Sequence, residues 1–355
     1  MTSVLDLPPK LNVFGSGSFA SRLIKSLTAA GAHVVGIVDW PERAGIILDG
    51  YRVSSLDEEL DLDLPVVIGI HNPDADIRNV NSRLTEIGVE LVISPPQIVE
   101  MLYRKNENFS NYWLSPQLES PIDIAQILFV NSILSDDKSN HVFDSSIRYR
   151  STGLIQDLPT RESPEYQYFP RDIPEFYESL SDLGAFVDVG AYTGDTLKSL
   201  ALTDYRPETY IGLEPDLHNF QNLLLEARRF TGKSLCLPLA ASENVGWASF
   251  NSSGASSAVV HGDGTPVQTV NLDFFANTNV SYIKMDIEGS ELSALRGAEG
   301  IIRRDKPALA ISIYHKPGDL LEIPIYINSL GVYRRFYVRC YGDQLFDTVL
   351  YCLPD

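Results

Sequence analysis

Asp286 and Glu288 stand two residues apart in Tyr282-Ile-Lys-Met-Asp-Ile-Glu-Gly-Ser-Glu291, with Lys284 just before them. An apolar run that ends in alternating ionisable groups and then a glycine reads as a strand leaving a sheet and turning into a helix. In open α/β sheets, ligands bind beyond the carboxyl ends of strands. Ionisable groups placed there are costly unless they are paired or used. Asp286 and Glu288 are therefore candidates for the reacting centre, whereas Lys284 can pair with an acid and Glu291 suits the first turn of the following helix. A later apolar run ends in Tyr314-His-Lys-Pro-Gly-Asp319, which puts His315 at the same mouth. An imidazole or a carboxylate in that position can take a proton from a hydroxyl near neutral pH.

Upstream, Phe186-Val-Asp-Val-Gly-Ala-Tyr-Thr-Gly-Asp-Thr196 is an apolar run ending in a glycine-rich turn, and Ile211-Gly-Leu-Glu-Pro-Asp216 follows it. Gly190 and Gly194 let the backbone approach a ligand closely. Glu214, twenty positions after Gly194 and followed by Pro215, can accept hydrogen bonds from two ribose hydroxyls. The turn opens on an acid, Asp188, which suits a nucleoside with a cationic amino-acid tail better than one with a pyrophosphate. S-adenosyl-L-methionine is such a ligand. Backbone N–H groups from Ala191 through Tyr192 and Thr193 to Gly194 would face its carboxylate at a helix N-terminus. Pro238-Leu-Ala-Ala-Ser-Glu243, with Ala241 at its centre, leaves room for a flat base. Asp195 and Thr196 are as well suited to capping the next helix.

These residues need two alternating β/α units to hold them. The first starts at Leu11–Phe14 and continues through a helix over Ser21–Ala30, then strands at His33–Asp39, Leu64–His71 and Val89–Ser94, with a helix over Asp74–Ile87 between the last two. Gln97–Arg104 and Ile122–Leu134 read as helices; Asp136–Asn140 and Asp157–Pro164 read as loops. The second unit has strands at Ala185–Val189, Thr209–Leu213, Ser234–Ala240, Ser281–Ile287 and Ala308–Tyr314. It closes with Phe336–Tyr341 and Thr348–Leu353, joined through Gly342-Asp343 as a hairpin. Phe250–Ser257 is small and polar, a surface loop or a lid. The expected division is a small Rossmann-like domain over 1–105, a helical connector over 106–147, and a second domain over 148–355. In the first domain, Gly15, Gly17 and Ala20 follow a strand and Asp39 ends the next one, at the spacing of a ribose acceptor. A second nucleotide ligand at Gly15, Gly17 and Asp39 and a docking module that binds nothing are equally open.

Composition narrows the choice. The formal charge is −19 with no Lys/Arg run longer than two, which argues against nucleic acid as partner. Three scattered cysteines without a C-x-x-C pair indicate neither a zinc knuckle nor a disulfide frame. No apolar stretch of about 18 residues or basic-apolar leader is visible, so a cytoplasmic location and no membrane span are expected. No metal-ligand spacing is diagnostic; a divalent ion on Asp286, Glu288 and His315 is a minor option.

The strings Phe186–Asp195, Ile283–Glu291 and Ile311–Leu320 together resemble the FkbM family of S-adenosylmethionine-dependent methyltransferases, over roughly Arg148 to the end of the chain. The K-x-D-x-E-G-x-E string is the most discriminating part. The resemblance implies a class I methyltransferase fold: an α/β Rossmann-like sheet of parallel strands finished by an antiparallel C-terminal hairpin, here preceded by the small Rossmann-like domain. It implies O-methylation of a sugar, glycan or natural-product hydroxyl. It also implies that Asp188, Gly190, Gly194 and Glu214 hold the cofactor and that Asp286 and Glu288 border the methyl-transfer centre. The rival readings are a nucleotide-sugar or NAD-dependent enzyme working from the first domain and a non-catalytic nucleotide-binding scaffold. No Tyr-x-x-x-Lys pair lies beside Gly15–Ala20 to support hydride transfer. Oligomeric state is not written in the sequence.

Overall fold

A computed structural model describes the chain except residues 1–5, 57, 59–60, 119–120, 182, 252–257, 261–263 and 355. The chain divides into two compact units. One comprises residues 1–123, 141–161 and 342–346; the other comprises residues 124–140, 162–341 and 347–355.

The first unit is built on β1 (Lys10–Phe14), α1 (Ser18–Ala29), β2 (His33–Asp39), β3 (Ile47–Leu48), β4 (Tyr51–Ser55), β5 (Val66–Ile68), α2 (Ile77–Glu86), β6 (Val92–Ile93) and α3 (Pro95–Arg104). The sheet order is β3-β4-β2-β1-β5-β6, parallel apart from the short β3–β4 pairing. Leu23, Ile24 and Leu27 form the buried stripe of α1, as their spacing predicts. Gly15 has φ +113, and a Cβ there would stand 2.7 Å from the Ile70 side chain, so only glycine makes this turn. Late in the chain, Asp343 returns to this unit and accepts the Ile77 N–H at 2.9 Å, while the Trp113 indole donates to the Gln344 carbonyl at 2.9 Å.

Three helices precede the second sheet: α4 (Ile124–Ile133), α5 (Asp137–Thr152) and α6 (Pro174–Glu178). The loop expected at Asp136–Asn140 is thus a helix start. Asp136 caps it by accepting the Ser139 N–H at 2.7 Å, and the same carboxylate pairs with buried Arg339 at 2.7 Å. The polar string is a cap rather than a break.

The sheet itself uses β7 (Ala185–Val189), α7 (Asp195–Ala201), β8 (Thr209–Leu213), α8 (Leu217–Ala227) and β9 (Lys233–Leu237). A side sheet follows, with β10 (Ala240–Ala241), β11 (Gly246–Asn251), β12 (Ala258–Val260) and β13 (Thr265–Val270) in the order β10-β13-β11-β12. Then come β14 (Val280–Met285), α9 (Glu291–Arg296), α10 (Glu299–Asp305), β15 (Ala308–Ser312), α11 (Asp319–Ser329), β16 (Tyr333–Cys340) and β17 (Thr348–Pro354). The seven-stranded order is β16-β17-β15-β14-β7-β8-β9, with β17 antiparallel to both β15 and β16. This is a class I methyltransferase-like fold.

Further details differ from expectation. The strand expected over Ser234–Ala240 stops at Leu237, because Pro238 has no N–H for the ladder, and Ala240–Ala241 pairs in the side sheet instead. The final strands are not joined by a two-residue turn at Gly342-Asp343: residues 341–347 separate them, and Gln344, Leu345 and Asp347 all have positive φ. Phe250 lies in strand β11, which runs through Asn251, rather than opening a loop, and the remainder of that stretch, 252–257, lies outside the described residues.

An aromatic layer packs under the seven-stranded sheet. Phe186 stacks on Tyr282 with ring centroids 4.7 Å apart, and Phe169, Phe176 and Tyr210 close around them edge-on. It also fixes the loop before α6, where Tyr168 N donates to the Tyr351 hydroxyl at 3.2 Å and the Tyr282 hydroxyl donates to the Tyr168 carbonyl at 2.5 Å.

Candidate active site

In β7 and β14, Asp188 and Lys284 face each other in register, one residue before each strand ends. Lys284 Nζ lies 3.0 Å from Asp188, donates to the Gly190 carbonyl at 2.6 Å, and sits 5.0 Å above the Tyr168 ring. The Asp188 carboxylate also accepts the Tyr210 hydroxyl at 2.9 Å. Both charged side chains are buried, so the pair is a structural clamp beneath the glycine turn. Burial works against the Lys284 charge, but Asp188 and Asp286 outweigh it and raise its pKa. Asp188 is thus held by the Lys284 ammonium and the Tyr210 hydroxyl, and no surface of it is exposed.

The turn lies directly on β14. Gly190 has φ +76, and a Cβ there would collide with the Asp286 backbone carbonyl. Three of the amides expected to face a ligand already have partners: Ala191 N donates to the Leu213 carbonyl at 3.0 Å, Gly194 N to the Ala191 carbonyl at 2.8 Å, and Tyr192 N to Glu214 at 2.9 Å. Thr193 and half-exposed Tyr192 form the open lip. Glu214, at the carboxyl end of β8, also accepts the Asp216 N–H at 2.8 Å. Its burial pushes its pKa up to about 7. Two backbone donors leave lone pairs free on that carboxylate, as a ribose diol would require. Thr196 Oγ1, buried in the first turn of α7, has no hydrogen-bond partner among the described residues. Pro215 follows Glu214 half-buried, and Ala241 is buried in β10. The turn, the acid and the orphaned hydroxyl fit a nucleoside with an amino-acid tail.

At the carboxyl ends of β14 and β15, Asp286, Glu288, Glu291 and His315 converge. His315 Nε2 stands 3.4 Å from Asp286 and 3.6 Å from Glu288, and its Nδ1 stands 2.9 Å from Glu291. Burial alone would lower the imidazole pKa, but Glu291 first, then Asp286 and Glu288, push it up to about 10. The ring is an imidazolium at neutral pH and has no lone pair for an incoming proton, so the expected use of His315 as a base does not suit this setting. Asp286 is the opposite case. Burial would raise its pKa, yet His315, Lys284 and the hydroxyls of Tyr168 and Ser312 hold it below the usual carboxylate range. Tyr168 donates to it at 2.7 Å, and 27% of the Asp286 side chain remains open to solvent. Glu288 sits at φ +55, a strained conformation for a residue with a side chain, before Gly289 at φ +94.

Sequence reasoning brought Asp286, Glu288 and His315 to one mouth, and the structure brings them together. It missed Tyr168, which lies 118 positions away and carries no local signal. Glu291 is both things at once: it accepts the Ile287 N–H at 2.8 Å as a turn acid and is a fully buried partner of His315. Ligand atoms of Asp286, Glu291 and His315 lie within 4.8 Å of one another, but a divalent ion on that ring would have to displace its proton.

Residues 188–332 match the family model of the methyltransferase FkbM domain. The crystal structure of a methyltransferase FkbM from Methylobacillus flagellatus aligns over 97% of this chain and 90% of its own, at 25% identity and a TM-score of 0.79. An rRNA methylase of Streptococcus thermophilus aligns over 50% of this chain and 91% of its own, at 14% identity and a TM-score of 0.34. A putative rRNA methylase of Clostridium thermocellum aligns over 55% of this chain and 97% of its own, at 12% identity and the same TM-score of 0.34. No curated protein matches the chain. Among the described residues, no helix is long and apolar enough to cross a membrane.

Proposed function

We propose that this chain, whose residues 188–332 match the FkbM methyltransferase domain, moves a methyl group from S-adenosylmethionine to a hydroxyl oxygen of a sugar, glycan or natural-product acceptor. The observation that carries this reading is the Asp286 carboxylate. It is part-exposed, held ionised, and built onto the backbone of the glycine turn that would hold the donor.

S-adenosylmethionine, when bound, supplies a methyl group already activated on a sulfonium. The chain's task is therefore alignment and proton removal. Glu214 accepts the ribose hydroxyls, while Gly190, Ala191, Tyr192, Thr193, Gly194 and Pro215 line the donor, and Ala241 borders its base. Asp188 acts through Lys284, which grips the Gly190 carbonyl and fixes the turn. Asp286 accepts the acceptor's hydroxyl hydrogen and would hold the proton which that oxygen gives up on methylation, the S–CH3 bond of the donor breaking in the same exchange. Tyr168 and the His315 imidazolium keep Asp286 anionic and oriented. Glu288, on its strained turn, flanks the acceptor. A cytoplasmic setting accords with a soluble donor and three free cysteines.

The test is calorimetry and turnover on Asp286→Ala. The variant is expected to bind S-adenosylmethionine like the wild type and to lose about 100-fold or more in kcat toward a hydroxyl acceptor. Full turnover would remove Asp286 from the reaction, and absence of donor binding by the wild type would remove the reading altogether.

A further inference from the structure

We propose that the first unit is a second ligand site, which takes a nucleoside 5′-diphosphate at the loop between β1 and α1. The inference concerns residues outside the methyltransferase domain and does not rest on methyl transfer.

Strand order carries the first part. From β1 the chain moves one way to β2 and β4, then returns to the other flank of β1 for β5 and β6. The order reverses at the β1–β5 boundary, and ligands of open parallel sheets sit beyond the carboxyl ends of the strands at such a point. The loop that opens there is Gly15-Ser-Gly17, leading into the twelve-residue helix α1. Gly15 makes the turn that no other residue allows. Gly69, beside it on the β5 side, lets the helix close in, since a Cβ on it would stand 3.2 Å from Ala20 Cβ. The N-cap of α1 is Gly17, which has no side chain to satisfy the first-turn N–H groups, and no acid stands in that turn. Bare amides at the positive end of a helix favour phosphate.

The second part is the set of polar groups around the loop. Asp39 ends β2 and accepts the Ser16 hydroxyl at 2.5 Å and the Trp40 N–H at 2.7 Å. Its remaining lone pairs suit a ribose hydroxyl. Exposed Arg43 reaches back to Ser16 Oγ at 3.2 Å, which places a guanidinium within reach of a phosphate on the loop. His71 gives an independent sign. It follows β5, is 5% exposed, and packs its ring 5.5 Å from Phe19 in the first turn of α1. Its Nδ1 is 2.7 Å from the Asn111 amide nitrogen, so Nδ1 accepts and Nε2 carries the hydrogen. That Nε2 donor has no hydrogen-bond partner among the described residues. Burial, reinforced by Arg22, lowers the His71 pKa to about 3, so the ring is a neutral donor rather than a second cation. A buried donor without an acceptor, beside an uncapped helix and a glycine turn, is a site waiting for an oxygen-rich ligand.

The experiment is calorimetry on the full chain with UDP, ADP, NAD⁺ and inorganic phosphate as probes, repeated with S-adenosylmethionine at saturation. At least one diphosphate should bind one-to-one, more tightly than inorganic phosphate, and undisturbed by S-adenosylmethionine. The preferred probe separates a mononucleotide from a dinucleotide site. Gly17→Asp is the decisive variant. Gly17 has φ −89 and ψ −174, and nothing lies within 4 Å of a Cβ built there, so the aspartate fits. As an N-cap it should hold or raise the melting temperature. As an anion on the phosphate position it should weaken diphosphate binding about tenfold or more. Asp39→Asn should weaken the nucleoside diphosphates while sparing inorganic phosphate. Silence from all three nucleotides at millimolar concentration, displacement by S-adenosylmethionine, equal affinity for inorganic phosphate, or undiminished binding by Gly17→Asp would each overturn the proposal.

Discussion

His315 is surrounded by more negative charge than its own positive charge can balance. Because its folded pKa of about 10 lies above the ordinary 6.5, its contribution to stability is complete below pH 6.5 and drains away as pH climbs toward 10. The advantage of the wild type over His315→Gln in urea unfolding should therefore shrink across that window; a constant difference would mean the ring is neutral throughout. Glu214 responds in the other direction. With its pKa near 7, it must ionise to accept ribose hydroxyls, so the dissociation constant for S-adenosylmethionine should rise as pH falls from 8 to 6, and that slope should vanish in Glu214→Gln. Asp286, Glu288 and His315 could be read from sequence because strand-end polar residues announce a mouth. Tyr168 could not, since a tyrosine in a loop looks the same whether it faces water or a carboxylate. The Asp188–Lys284 clamp was half legible: a pairing was foreseeable, but choosing the partner required the parallel register of β7 and β14.

At the scale of elements, periodicity located β2, β7 and β8 to the residue, because their ends carry glycine or acid punctuation. It failed where polar residues did double duty. Asp136 opens α5 and also grips Arg339, which is 1% exposed and shared with Asp172 at 2.7 Å. Removing the cap leaves the guanidinium with one carboxylate. Asp136→Ala should cost about 2–3 kcal/mol in chemical denaturation, and Asp136→Asn, which keeps the cap but not the charge, should fall between it and the wild type. Equal stability of all three proteins would show that the helix start is held by packing alone. The side sheet of β10–β13 escaped the sequence reading for a related reason. Its strands are two to six residues long, and the Ala, Gly, Ser and Thr set among Trp247, Phe250 and the valines blur their alternation against the neighbouring loops.

Over the whole molecule, the division into units does not follow the order of the chain. The first unit draws on residues 1–123, 141–161 and 342–346. Trp113 is almost fully buried and its indole N–H is satisfied by Gln344, and Asp343 caps α2. A fragment spanning 1–123 lacks both and should show no cooperative urea transition; a sharp one would mean that the later segments are ornaments. Sequence spacing cannot reveal such a return, because a short stretch between two strands looks like any turn until its partners are known.

That return constrains the birth of the protein. The acceptor for the Trp113 indole is made 231 residues after it. While a ribosome is still translating, the Trp113 indole must wait without its acceptor until residues 342–346 have left the exit tunnel. A holding chaperone would find its binding window there, and stalled or truncated products should be cleared first by proteases that recognise exposed tryptophan.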